Sequence, residues 1–80
     1  MTMIIQNEVN RATAIAKNYK FHKFQAIAPI VPQLDSMWTF VCTFYYPNSS
    51  KVMKSHFLGR FASKEELQVF CDLNEIDVET

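Results

Sequence analysis

The sequence predicts a small α+β domain: a three- or four-stranded antiparallel sheet with an N-terminal and a C-terminal helix packed on one face. Three observations predict it. Residues 37–46 and 51–61 alternate with a period of two and are rich in aromatic and β-branched side chains, which is strand chemistry. Pro47-Asn48-Ser49-Ser50 separates them with turn formers, so the two runs make a hairpin. Stretches on either side of the hairpin carry apolar residues at helical spacing.

Taken in order, Ile5, Val9, Ala12, Ile15 or Ala16, and Tyr19 form one stripe among polar neighbours. That stripe predicts an amphipathic helix over 2–18, with Asn18 as a left-handed cap. A strand through 11–15 is the competing reading. Residues 20–28 read as a first strand that lies at an edge or ends at the prolines, because Pro29 and Pro32 lack ladder donors. Pro32-Gln33-Leu34-Asp35 reads as a connecting turn.

In the hairpin, Trp38, Phe40, Cys42, Phe44 and Tyr46 make one core-facing row, and Met53, Ser55, Phe57, Gly59 and Phe61 the other. A four-residue turn sets Tyr46 opposite Lys51. Phe44 then meets Met53, Phe40 meets Phe57, and Trp38 lies over Gly59. The opposite face shows Met37 with Arg60, Thr39 with Leu58, Val41 with His56, Thr43 with Lys54, and Tyr45 with Val52. Ser63-Lys64-Glu65-Glu66 is a capping box. In it the Ser63 hydroxyl accepts from the Glu66 amide, and the Glu66 carboxylate reaches back to the Ser63 amide. A helix follows to about Leu73, with Leu67, Phe70 and Cys71 turned inward and Asn74 a possible end of that stripe. Ile76 and Val78 alternate with acids, a pattern that fits a short closing strand.

Composition narrows the function. Eighty residues with 49% hydrophobic content, one Gly and three Pro make a single packed domain rather than a disordered chain. No apolar run approaches the roughly 20 residues of a spanning helix, so no membrane is expected. No basic region precedes an apolar one at the N-terminus, so a cytoplasmic protein is expected, with Cys42 and Cys71 reduced and buried. The formal net charge is +0, yet residues 1–64 hold all eight Lys and Arg against Glu8 and Asp35, while 65–80 hold six acids and no base. Such a split suits a polar partner surface, or two ends that neutralise each other in space.

Catalytic and metal chemistry find little footing. His22, Cys42, His56 and Cys71 lack the paired short spacings of zinc sites, so neither metal nor cofactor is expected. Ser63 is committed to a cap, no two carboxylates share a plausible cleft, and one glycine rules out phosphate-cradling loops. A non-enzymatic protein is the expectation.

Binding chemistry is better represented. Two surfaces fit a protein interface. One is the free sheet face, apolar at its centre, with Val41, Tyr45, Lys54, His56, Leu58 and Arg60 as candidate contacts. The other is the acidic C-terminal helix, whose run from Glu65 to Glu79 could meet a basic partner. A nucleic-acid reading uses Lys17, Lys20, Lys23, Lys54 and Arg60, with aromatics interleaved among the first three. A homodimer through paired faces or paired edges is a third reading.

Residues 57–70, FLGRFASKEELQVF, run from a strand into a helix opened by Ser63, Glu66 and Leu67 and continued by Phe70. This junction resembles that of small phage-encoded α+β proteins, some anti-CRISPR proteins among them. The resemblance implies a non-enzymatic inhibitor that blocks a functional surface of a larger host complex. It carries no binding residue across.

Overall fold

The computed structural model describes residues 2–31 and 36–79, so the expected turn at Pro32-Gln33-Leu34-Asp35 lies outside the described residues. The elements are β1 (Met3–Ile4), α1 (Gln6–Asn18), β2 (His22–Ile27), β3 (Trp38–Tyr45), β4 (Val52–Phe61), α2 (Lys64–Leu73) and β5 (Val78–Glu79). The strands form one sheet in the order β1-β4-β3-β2-β5. All neighbours are antiparallel except β2 and β5, which are parallel. So β2 is not an edge strand: β5 covers its outer side, and β2 ends at Ile27 before Pro29. The fold is therefore α+β, but the sheet is five-stranded and mixed rather than three- or four-stranded and antiparallel.

The first helix starts at Gln6, not at residue 2, because Met3 and Ile4 pair with Arg60 and Gly59 of β4. The Ile5 amide donates to the Leu58 carbonyl (2.9 Å), tying the start of α1 to the sheet. The 11–15 segment is helical. Asn18 ends the helix without a left-handed cap, since Tyr19 leaves in extended conformation.

The second helix follows its capping signal with one change. The Ser63 hydroxyl accepts from the Glu66 amide (3.2 Å), but the Glu66 carboxylate accepts from the Ala62 amide and the Thr2 hydroxyl rather than the Ser63 amide. Its far end is a Schellman motif: the Glu75 amide donates to Asp72 and the Ile76 amide to Cys71. Glu75 occupies the left-handed position usual for glycine (φ 56°), and Ile76 beyond it is buried. This turn aims the chain back along β2, where Val78 pairs with Phe24.

The hairpin turn is as expected, but the register beyond it is not. Asn48 takes a left-handed conformation, the Tyr46 amide donates to Lys51, and Tyr45 lies opposite Val52. Two irregularities then shift the pairing, one between Phe44 and Tyr45 and one between Phe40 and Val41. Each gives β4 an extra residue, so its ten residues span the eight of β3. Phe44 therefore faces Lys54, Cys42 faces His56, Val41 faces Phe57 and Phe40 faces Gly59.

The single period of two assumed for β4 is thus broken twice. His56 and Leu58 turn into the core, while Ser55 and Phe57 turn out. After the second bulge Gly59 and Phe61 face inward again. Trp38 lies opposite Phe61, and it is Phe40 that covers the glycine.

One core serves both helices. Val9 and Ala12 from α1, Leu67 and Cys71 from α2, and Ile76 pack with Phe24, Phe40, Cys42, Phe44, Leu58 and Phe61 of the sheet. Rings dominate it: Phe40 stacks on Phe24 at 6.0 Å and meets Phe61 and Phe70 edge-on. Tyr46 is exposed and Trp38 half-buried, at the two ends of the expected inward row.

Gly59 has a spatial reason to be glycine. A Cβ there would lie 2.5 Å from the Met3 carbonyl oxygen and 3.1 Å from the Ile4 Cα. Its φ is not positive, so the requirement is room for β1, not backbone freedom. Gly59→Ala should cost about 1–3 kcal/mol through overpacking against backbone. Phe40→Ala, which empties the centre of the core, should cost about 3–5 kcal/mol. Urea unfolding checks both, and a Gly59→Ala protein as stable as the parent would show that β1 does not lie against that residue.

Candidate protein-docking face

The strand registers assemble the face that carries no helix. Gln25, Val41 and Phe57 form its central row, continued at the β5 edge by Glu79. Ile27, Thr39, Arg60 and Met3 form the next row toward the β2–β3 connection. Lys23, Thr43 and Ser55 lie on the other side of centre, and Tyr45 with Val52 closes that end. Successive strand residues point to opposite sides, so none of these side chains joins the helix-covered core.

This face holds large apolar side chains in solvent. Phe57, in mid-strand, is 39% exposed, and Met3, Ile27 and Val52 are also exposed. Beyond the end of β2, Ile30 is 93% exposed and Val31 is exposed as well. Single exposed apolar residues need no explanation, but several on the side of a sheet that no helix covers leave that side partly apolar. The polar members are mostly uncharged, and Lys23 bridges to Glu79 at 3.5 Å across the β2–β5 edge. Both partners are largely exposed, so the bridge adds little stability. It does bring the basic and acidic parts of the chain together at one point.

Of the expected contact residues, Val41, Tyr45 and Arg60 lie on this face. His56 (6% exposed) and Leu58 (0%) do not: the bulges turn both into the core, so neither can meet a partner. Lys54 is exposed but lies opposite Phe44, on the helix side of the sheet. Reading β4 as unbroken missed Phe57, and reading 2–18 as one helix missed Met3. Ile30 and Val31 fell in what read as the breakdown of a strand. No signal along β4 alone marks the bulges, because pairing with β3 decides them.

The basic residues do not form one surface. Lys23 and Arg60 share the open face, Lys54 lies on the other side, and Lys20 sits beside the Phe21 ring in the α1–β2 connection (5.3 Å). Lys17 and Lys23 contribute to a cleft of about 890 Å³ between α1 and the chain's last segment, where Glu75, Asp77 and Glu79 also stand. Its mixture of both signs gives no field of one sign for a phosphate backbone.

Inside the core, His56 Nδ1 lies 3.1 Å from Glu8 Oε2, and the other Glu8 oxygen pairs with Arg11 at 3.1 Å. The second ring nitrogen is buried without a hydrogen-bond partner. The Phe44 ring meets the imidazole edge-on at 5.7 Å. This contact holds α1 on β4 through one charge-assisted bond. A buried nitrogen shut away from solvent is in no position to exchange protons with a substrate. Among the described residues, no three His, Cys, Asp or Glu side chains converge as a metal site would require.

Burial pushes the thiols of Cys42 and Cys71 up to about 11, with Asp72 adding to the effect at Cys71. Neither is a thiolate near neutrality, and so neither is an activated nucleophile. Among the described residues, no helix is long and apolar enough to cross a membrane. No protein-family model, curated protein or solved structure matches the chain.

The thiols set a pH dependence with a definite sign. Unfolded thiols titrate at 9.0 and the native ones at about 11, so between these values the unfolded chain holds fewer protons. Stability should fall as pH rises through that window. Replacing Cys42 and Cys71 by Ala should flatten that part of a stability-versus-pH curve measured by urea unfolding. In the parent, a thiol reagent at pH 8 should react slowly with the native protein and rapidly in denaturant.

Proposed function

We infer that this chain is a small non-enzymatic binding module that docks on a larger protein through the open face of its sheet. The observation that carries the reading is Phe57, exposed in mid-strand beside Val41, on a five-stranded face that neither helix covers. Phe57 and Tyr45 are the natural anchors, because aromatic side chains bring large contact area at low conformational cost. Arg60 and Lys23 stand on either side of the apolar centre, where charge orients a partner more than it adds affinity.

The scaffold favours such a role. Side chains held on paired strands lose little freedom when a partner arrives, so less of the contact energy is offset by ordering. An inhibitor that covers a functional surface of a host complex, as the strand-to-helix resemblance implies, needs a rigid apolar face and no chemistry of its own.

The test is capture from an extract of the source cells on the immobilised chain, with the bound proteins identified by mass spectrometry. Phe57→Lys should reduce capture about tenfold or more while leaving the melting temperature nearly unchanged, and Tyr45→Ala should act in the same direction. Capture should survive about 0.5 M salt, whereas phosphate-backbone binding would collapse through counterion release. Undiminished capture by both variants would remove the open face from consideration.

A further inference from the structure

We propose that, in the absence of another partner, the open sheet face is covered by a second copy of the same chain, packed face to face about a two-fold axis. The proposal rests on the docking reading above and names the occupant the face takes first.

Charge is the first argument. With a formal net charge of +0, two copies approach without the repulsion that keeps strongly charged domains apart. The middle of the face, Gln25, Thr39, Val41, Thr43, Ser55 and Phe57, carries no charge at all, so stacking two copies buries no like pair at the centre. The charges sit toward opposite sides, Lys23 with Glu79 on the β2–β5 side and Arg60 on the β4 side.

Symmetry is the second argument. The strand order places β3 in the middle of five. A two-fold axis running along β3 between the sheets lays β2 and β5 of each copy over β4 and β1 of the other. β3 then overlaps β3 and β2 overlaps β4, β5 falls about two residues along from β1, and Val41 and Tyr45 lie on the axis. The side bearing Glu79 falls over the side bearing Arg60. An isologous contact needs this kind of self-complementary patch.

Area is the third. With strands about 4.8 Å apart and residues about 3.3 Å along them, one face offers roughly 500 Å². Two copies would then bury roughly 1,000 Å², which is at the lower bound for a specific interface. A dimer with a dissociation constant in the micromolar range is the expected consequence, weak enough for a better-matched protein to displace one copy.

Sedimentation velocity on the full chain from about 5 to 500 μM tests the proposal. The expected result is a concentration-dependent shift from the 9.3 kDa monomer to a species of twice that mass. Phe57→Lys and Val41→Lys should each weaken the association about tenfold or more. Circular dichroism identical to the parent's would show that both variants remain folded. A parent that stays monomeric at the highest concentration overturns the proposal. So does a dimer indifferent to both substitutions, which would point to edge pairing instead. A monomeric parent whose capture of other proteins still depends on Phe57 would leave the docking reading standing. A Phe57-dependent dimer with Phe57-independent capture would do the reverse.

Discussion

The architecture depends on the approach of β1 to Gly59, which leaves no room for a Cβ there. Only a residue without a side chain admits the Met3 carbonyl there. Once β1 is seated, the Ile5 amide bonds to Leu58, and the chain turns directly into α1. The helix then starts at a fixed place above β4, which sets Val9 and Ala12 into the core and Glu8 against His56. A chain with a single glycine has placed it where an added methyl group would collide with a neighbouring strand.

The same place decides which side of the sheet faces outward. Leu58 and Gly59 are successive residues, yet both turn inward, because the bulge inserts one residue at that step. Without the two bulges Phe57 would lie beneath the helices and Leu58 in solvent. The exchange buries an aliphatic side chain and exposes an aromatic one, which gains nothing in core burial. It also draws His56 into the core, where one ring nitrogen finds Glu8 and the other finds nothing. A buried polar atom without a partner costs free energy. A strand that accepts this and exposes a phenylalanine as well is poorly suited to stability alone, and the docking proposed above would account for the aromatic.

Much of this was legible in the residues. The alternation of 37–46 located β3, and Phe40, Cys42 and Phe44 are buried as that alternation requires. Pro47 and Asn48 located the turn, and Ser63 with Glu66 located the start of α2, because these signals are local. What failed was non-local. A two-residue strand such as β1 has no period of its own and exists only because β4 offers it a ladder. The parallel pairing of β5 depends on a left-handed Glu75, a conformation the residue type does not announce. Bulges are decided by the partner strand, so a face read along β4 alone was correct near Gly59 and Phe61 and inverted at His56 and Leu58. The candidate site inherited that inversion: Val41, Tyr45 and Arg60 survive on the open face, whereas Phe57 and Met3 became visible only once pairing was known.

The separation of charge along the chain has a structural use that follows from these pairings. The acidic end closes the sheet beside β2, where Glu79 meets Lys23 at the border of the open face. Three further acids, Glu65, Glu66 and Asp72, ride on α2, on the other side of the sheet. The open face is thereby left nearly neutral, although the segments that build it are rich in Lys and Arg. Neutrality there matters because desolvating an unpaired charge would offset what apolar contact contributes. Were such a nearly uncharged surface to bind a partner as proposed, it would discriminate by shape more than by field. In the docking proposed above, recognition would rest on a few residues, Phe57 and Val41 foremost, whose positions are set by the pairing of β4 with β3.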